Sequence, residues 1–173
     1  TVAAVVSCGD PDLPFEEYGT MTTGGYARLM SQTGEFNFFD QAGSKVTLEV
    51  EYYDKNKGKD IASYAISVEY MDTKTKGAKN VAKKAMATIE SSAFTTNSDG
   101  YLSSTIEIGF AATMTLLGQG AADIDGGSKY RYHMVLTMKD GTTYDAATTD
   151  SNLESSSPFS ALFQKDISIV CPS

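Results

Sequence analysis

Apolar and polar residues alternate with a period of two along most of the chain. Val46, Leu48, Val50 and Tyr52 interleave with Lys45, Thr47, Glu49, Glu51 and Tyr53, the pattern of a strand with one buried and one wet face. Ala62, Tyr64, Ile66, Val68 and Tyr70 repeat it against Ser63, Ala65, Ser67 and Glu69. Asp54–Asp60 between them is polar and carries Gly58, which predicts a hairpin joining the two strands. Ile106, Ile108 and Phe110 extend the pattern after the Ser98-Asp99-Gly100 turn. Tyr130, Tyr132, Met134, Leu136 and Met138 carry it up to Asp140-Gly141, a two-residue hairpin signal with a return strand at Thr142–Ala146. Ile167, Ile169 and Cys171 form a last alternating set.

Three segments are less regular. Lys79–Ser91 fits both a helical stripe and an alternation, and its strand neighbours favour a strand. Ala111–Leu117 predicts a short helix, with Met114 and Leu117 three apart and Gly118 to close it. Tyr26–Met30 and Phe36–Phe39 predict short strands. Seven to nine strands with frequent turn residues and one helical turn describe an antiparallel β-sandwich. One such domain over residues 26–173 follows an N-terminal stretch, 1–25, without either period.

Composition narrows the function. No apolar run reaches the length of a transmembrane helix. Fourteen basic against 22 acidic residues give a net charge of −8, which argues against nucleic acid as a partner, because phosphate neutralisation needs excess Lys and Arg. Eight of the basic residues fall in Lys55–Lys59 and Thr73–Lys84. This predicts one connected positive patch, either edge protection or a surface for an acidic partner. His133 is the one histidine and lies on the face opposite Tyr132 and Met134, so it points away from the core. No nucleophile elbow, P-loop or dinucleotide fingerprint occurs, and the chain reads as a non-enzyme. Asp123-Ile124-Asp125-Gly126-Gly127 is the candidate cation site: Asp123 and Asp125 resemble the opening of a calcium loop but lack its distal glutamate. Calcium is the one cofactor this pattern admits. Carbohydrate modules stack sugars on exposed rings, with Trp favoured. This chain has no Trp and ten Tyr, of which Tyr53 and Tyr144 are the candidates for exposure.

The two cysteines, Cys8 and Cys171, stand at opposite ends. One reading joins them in a disulfide in an oxidising compartment. The other makes Cys8 a lipid attachment site, since Val5-Val6-Ser7-Cys8 follows an apolar run and precedes the acidic Gly9–Glu17 segment. A lipidated sulfur cannot form the disulfide, so the readings exclude each other.

The chain resembles small cell-surface lipoproteins of Bacteroidota that carry a lipobox cysteine, an acidic tether and one immunoglobulin-like sandwich. The likeness is carried by Ser7-Cys8-Gly9-Asp10, Tyr26-Ala27-Arg28-Leu29, Gly34–Asp40, Ser91-Ser92-Ala93-Phe94, Asp123–Gly127, Asp140-Gly141 with Thr143-Tyr144, and Ile169-Val170-Cys171-Pro172. It implies a signal-peptide remnant and lipobox before the tether, a lipid anchor at Cys8, and a place on the outer face of the outer membrane. It further implies an accessory subunit beside a SusC/SusD-type TonB-dependent transporter or another outer-membrane complex, and in longer relatives a further domain follows the closing cysteine. Two other roles stay open: a glycan- or peptide-binding module for nutrient capture, and an adhesive or scaffolding sandwich in which Val2–Ser7 acts as an exchanged strand.

Overall fold

The alternating segments can hide their apolar faces only against one another, and they do so as two facing sheets. A computed structural model describes residues 24–149 and 160–172 of the chain. The expectations placed on Cys8, the lipobox and the acidic tether lie outside those residues. The strands are β1 (Tyr26–Gly34), β2 (Phe36–Asn37), β3 (Lys45–Tyr53), β4 (Ile61–Met71), β5 (Val81–Glu90), β6 (Thr95–Thr96), β7 (Leu102–Gly109), β8 (Lys129–Met138), β9 (Thr143–Tyr144) and β10 (Gln164–Val170). One helix, α1 (Phe110–Leu117), separates β7 from β8. The first sheet runs β1-β3-β7-β6. The second runs β2-β10-β8-β4-β5, with β9 on β8. All pairings between neighbouring strands are antiparallel except β2 with β10. The expectation of an antiparallel all-β sandwich is met at this level, and Lys79–Ser91 is indeed a strand.

The inner faces carry the residues that the period selects. Val46, Leu48, Val50, Ile106 and Ile108 of the first sheet are buried, as are Ile66, Val68, Met134, Leu136, Ile167 and Ile169 of the second. Each such aliphatic side chain contributes about 1.5–3 kcal/mol relative to exposure. Phe36 and Phe110 stack with centroids 4.8 Å apart and close one end of this core.

Two local expectations are corrected. Segments 46–52 and 62–70 do not form a hairpin: β3 and β4 belong to different sheets. Alternation reports a buried face but not whether the next strand lies beside it or opposite. Here opposition brings Tyr52 and Tyr64 into edge-to-face contact at 5.6 Å and buries both apolar faces at once. The crossing loop is wound around buried Asp54, whose carboxylate accepts the N–H groups of Gly58 at 2.9 Å and Asp60 at 2.9 Å. Gly58 has φ +87°, and a Cβ there would meet the Tyr52 carbonyl oxygen at 2.8 Å, so only glycine makes this turn. Phe110 is not the end of the β7 strand but the first residue of α1. It remains buried, so the alternation read its face correctly and its backbone wrongly. The helix ends at Gly118 in the left-handed region, with Gln119 N–H donating to Met114 O at 2.9 Å.

The sheets are also joined at one side. Leu29 N–H donates to Ser160 O at 3.0 Å and Leu162 N–H to Ala27 O at 2.7 Å, just before the chain enters β10 in the other sheet. Leu48→Ala, at the middle of the core, is expected to lower the unfolding free energy by about 2–5 kcal/mol. Urea titration would show this as a lower midpoint at unchanged slope.

Candidate functional site

The sequence candidates disperse over the fold. Asp123 and Asp125 lie in the loop between α1 and β8, and each carboxylate is engaged separately. Asp123 accepts the Gly120 N–H at 2.7 Å. Asp125 is held by the ammonium groups of Lys79 at 2.9 Å and Lys74 at 3.6 Å. Lys79 first, then Lys74, draws the Asp125 carboxyl below its ordinary range. The positive charge at this loop is thus supplied by lysine, and among the described residues no group of three or more His, Cys, Asp or Glu side chains converges as a metal site. Cys171 is exposed, without a disulfide partner among the described residues, and its sulfur lies beside Gly126; Cys8, the other member of the expected pair, lies outside those residues.

The expected single basic patch is two clusters. Lys55–Lys59 precede β4 and Lys74–Lys79 follow it, and the 11 residues of β4 set them roughly 35 Å apart at the usual strand rise. Lys57 donates to Asp99 O at 2.8 Å and sits over the Tyr101 ring at 5.1 Å. Lys84 donates to Leu116 O at 3.2 Å, satisfying a carbonyl of the last turn of α1. Half of the eight lysines, Lys57, Lys74, Lys79 and Lys84, are thus engaged by the protein's own groups, although all but Lys79 remain exposed.

His133 lies on the outer face of the second sheet, as its alternation requires. Its Nε2 is 2.8 Å from Glu69 Oε1 across β4 and β8. Two positions along β8, Arg131 donates to both oxygens of Asp166 at 2.7 and 2.9 Å, and Lys129 joins the same carboxylate. Arg131, then Lys129, holds the Asp166 carboxyl down at about 2. This is a cross-strand ladder of polar contacts on a sheet face, with the Arg131 and Lys129 ion pairs to Asp166 beside the His133–Glu69 contact. Sequence reading placed His133 on the right face but missed its partner, because register between distant strands is not written in local pattern.

Two further clusters were not singled out from the sequence. Asp72, buried at the end of β4, accepts N–H groups of Lys74, Thr75 and Lys79 and the Thr75 hydroxyl. The Thr75 bonds above all hold its carboxyl well below the carboxylate range. An Asp opening a Thr-Lys-Thr-Lys-Gly loop was the available signal. The second is a tyrosine stack on the outer face of the first sheet: Tyr26 on Tyr53 at 5.3 Å and Tyr53 on Tyr101 at 4.7 Å. Tyr53, expected as an exposed ring, has both faces covered by these neighbours and offers no open face to a sugar. Tyr144 is half-buried in β9.

What the fold leaves open among the described residues is two long edges: β1 ends the first sheet, bridged on its free side at Arg28 to Ala161, and β5 ends the second. Among the described residues β5 pairs with β4 alone, and seven of its ten residues are exposed, including Ala82, Ala85 and Ala87. It ends the wider of the two sheets. Register shifts against β4 lie between Ile66 and Ser67 and between Val68 and Tyr70. The first makes Met86 an extra residue, and beside it a shallow trough of about 330 Å³ runs along Ala65, Ser67, Ala85, Ala87 and Val135. A ten-residue edge with small side chains can accept another strand.

In comparison with known proteins, no family model, no curated protein and no solved structure matches the chain.

The titratable groups set the pH response. Asp72 and Asp166 have folded pKa values below their unfolded ones, so their stabilisation is present at neutral pH and lost as pH falls through about 4 toward 2. Tyr52, pushed up to about 12 by burial, acts oppositely: its contribution is present below pH 10 and lost as pH rises through about 12. Thermal unfolding against pH is expected to show a plateau with an acid and an alkaline limb. Asp166→Asn should flatten the acid limb.

Proposed function

We propose that the chain is a non-catalytic docking module of a surface lipoprotein, held to the outer membrane through Cys8 and joined to an outer-membrane complex by strand addition at β5. The observation that carries the docking role is the β5 edge: a long strand with one pairing partner among the described residues, exposed side chains and a trough beside it. The anchoring half rests on the sequence junction Val5-Val6-Ser7-Cys8 with its acidic continuation. A lipid chain contributes about 0.8 kcal/mol per buried CH₂, and several chains on one cysteine give stable attachment. The likeness to accessory lipoproteins of SusC/SusD-type transporters supports a transporter or similar assembly as the partner.

The finer fold reading is immunoglobulin-like. The orders β1-β3-β7-β6 and β10-β8-β4-β5 correspond to A-B-E-D and G-F-C-C′ of that architecture, which supports the reading. The absence of tryptophan departs from its antibody form, and tyrosines fill the core instead. On this reading β5 is the added edge strand of the G-F-C sheet.

Mass spectrometry of the protein taken from its native membrane is expected to show a chain beginning at an acylated Cys8. A chain retaining Thr1–Ser7 with an unmodified sulfur would overturn the anchor. Ala87→Lys, which places a charge in the middle of the exposed edge, is expected to abolish co-purification with outer-membrane subunits while leaving thermal unfolding unchanged. Undiminished co-purification would overturn docking at β5.

A further inference from the structure

We infer that, in the protein free of its outer-membrane partner, the strand received at the β5 edge is β5 of a second copy, paired antiparallel about a two-fold axis at Ala87. The inference rests on the reading of β5 as a docking edge, at which the second copy and the outer-membrane subunit take the same place in turn. An antiparallel pair alternates between hydrogen-bonded and non-hydrogen-bonded positions. A two-fold axis exchanging identical strands must therefore pass where a residue faces itself, because an axis between two positions would demand both kinds of pair at once. The interface is isologous and must be self-complementary.

The sequence of β5 meets that condition at one register. The shifts against β4 fall at Ala85-Met86 and at Ala82-Lys83, and each bulge counts as one position along the edge. Glu90 then stands three positions from Ala87 on one side and Lys83 three on the other. Rotation about Ala87 sets Lys83 of each copy opposite Glu90 of the other, Lys84 opposite Ile89, and the Ala85-Met86 bulge opposite Thr88. Opposite charges directly across strands are favourable and like charges unfavourable. Two Lys–Glu pairs therefore select this register over its neighbours. Glu90 is opposite the outward Ser63 in β4, whereas Lys84 is opposite the buried Val68. Lys83, next to Lys84, takes the outer face with Glu90. At the axis Ala87 is small and exposed, so nothing bulky keeps the backbones apart. The product is a single sheet running through both copies.

Sedimentation or light scattering over a concentration series is expected to show a reversible dimer. Lys83→Glu alone and Glu90→Lys alone each turn both cross-strand pairs into repulsions and should weaken the dimer by about tenfold or more. Mixing the two variants should restore pairing between them, and the double exchange should restore it within one chain. With Cys8 and Cys171 replaced by Ser, Ala87→Cys should cross-link to itself under mild oxidation, since residues facing each other across strands lie within disulfide range. Asp99→Cys in the same background, in a turn away from the edge, should not. Unaltered thermal unfolding of the variants separates loss of pairing from loss of fold. A monomer at all concentrations, or a dimer indifferent to both charge reversals, overturns the inference. If the protein is monomeric while Ala87→Lys still abolishes co-purification with outer-membrane subunits, self-pairing falls and docking at β5 stands. If Ala87→Lys changes neither, both fall.

Discussion

Five core tyrosines bind the rest of the molecule together, because a buried ring can be apolar but a buried hydroxyl must be paired. Tyr52 reaches Ser104 on β7 at 3.1 Å and Tyr132 reaches Thr113 on α1 at 3.0 Å. Tyr130 donates to Gln119, just beyond that helix, at 2.9 Å, and Tyr70 accepts the Asp125 N–H at 3.0 Å. Tyr64 donates to the Leu162 carbonyl where the chain crosses toward β10. Each hydroxyl thereby determines where a different segment sits. The strands supply the hydrophobic driving force, and the tyrosine tips decide how the helix, the acidic loop and the final crossing close over it. Burial also raises the pKa of Tyr52, Tyr64, Tyr130 and Tyr132, so the same tips stay neutral over the ordinary pH range.

Charge is handled in a similar internal way. Asp54 and Asp72 sit at opposite ends of β4, each collecting backbone N–H groups of a loop that would otherwise leave them unpaired. Asp125 draws Lys79 and Lys74 onto the loop before β8, which ties the β4–β5 hairpin to the end of the sandwich. The lysines that look from composition like a surface for an acidic partner are in good part scaffold. The ladder of Glu69, His133, Arg131 and Asp166 does the equivalent across the outer face of the second sheet.

Against this internally satisfied background, β5 is the longest strand paired on one side only among the described residues. Its N-terminal half is guarded by Lys83, Lys84 and bulges, which discourage indiscriminate pairing. Its stretch Ala85 to Ile89 carries no charge and no proline before the exposed Glu90 closes the strand. An edge with lysines toward one end, a glutamate at the other and no charge between is suited to one register rather than to general adhesion. The self-pairing follows from that arrangement and the proposed docking from the open edge, and neither needs a pocket.

The period-two pattern by itself determined which residues lie inside. Val46 to Tyr52, Tyr64 to Tyr70 and Tyr130 to Met138 are buried at the positions it selects, and His133 faces outward as it requires. Turn chemistry likewise located Asp140-Gly141 and the helix stop at Gly118, because glycine's freedom at positive φ is a local property. Tertiary structure alone decided which strands are neighbours and which are opposed. Residues 46–52 and 62–70 have the patterns of a hairpin yet face each other across the core. The same limit hid the partner of His133, the lysines of Asp125 and the exposure of β5. The physical reason is that burial is a property of one strand's own side chains, whereas pairing, ion contacts and free edges depend on which distant backbone arrives beside it.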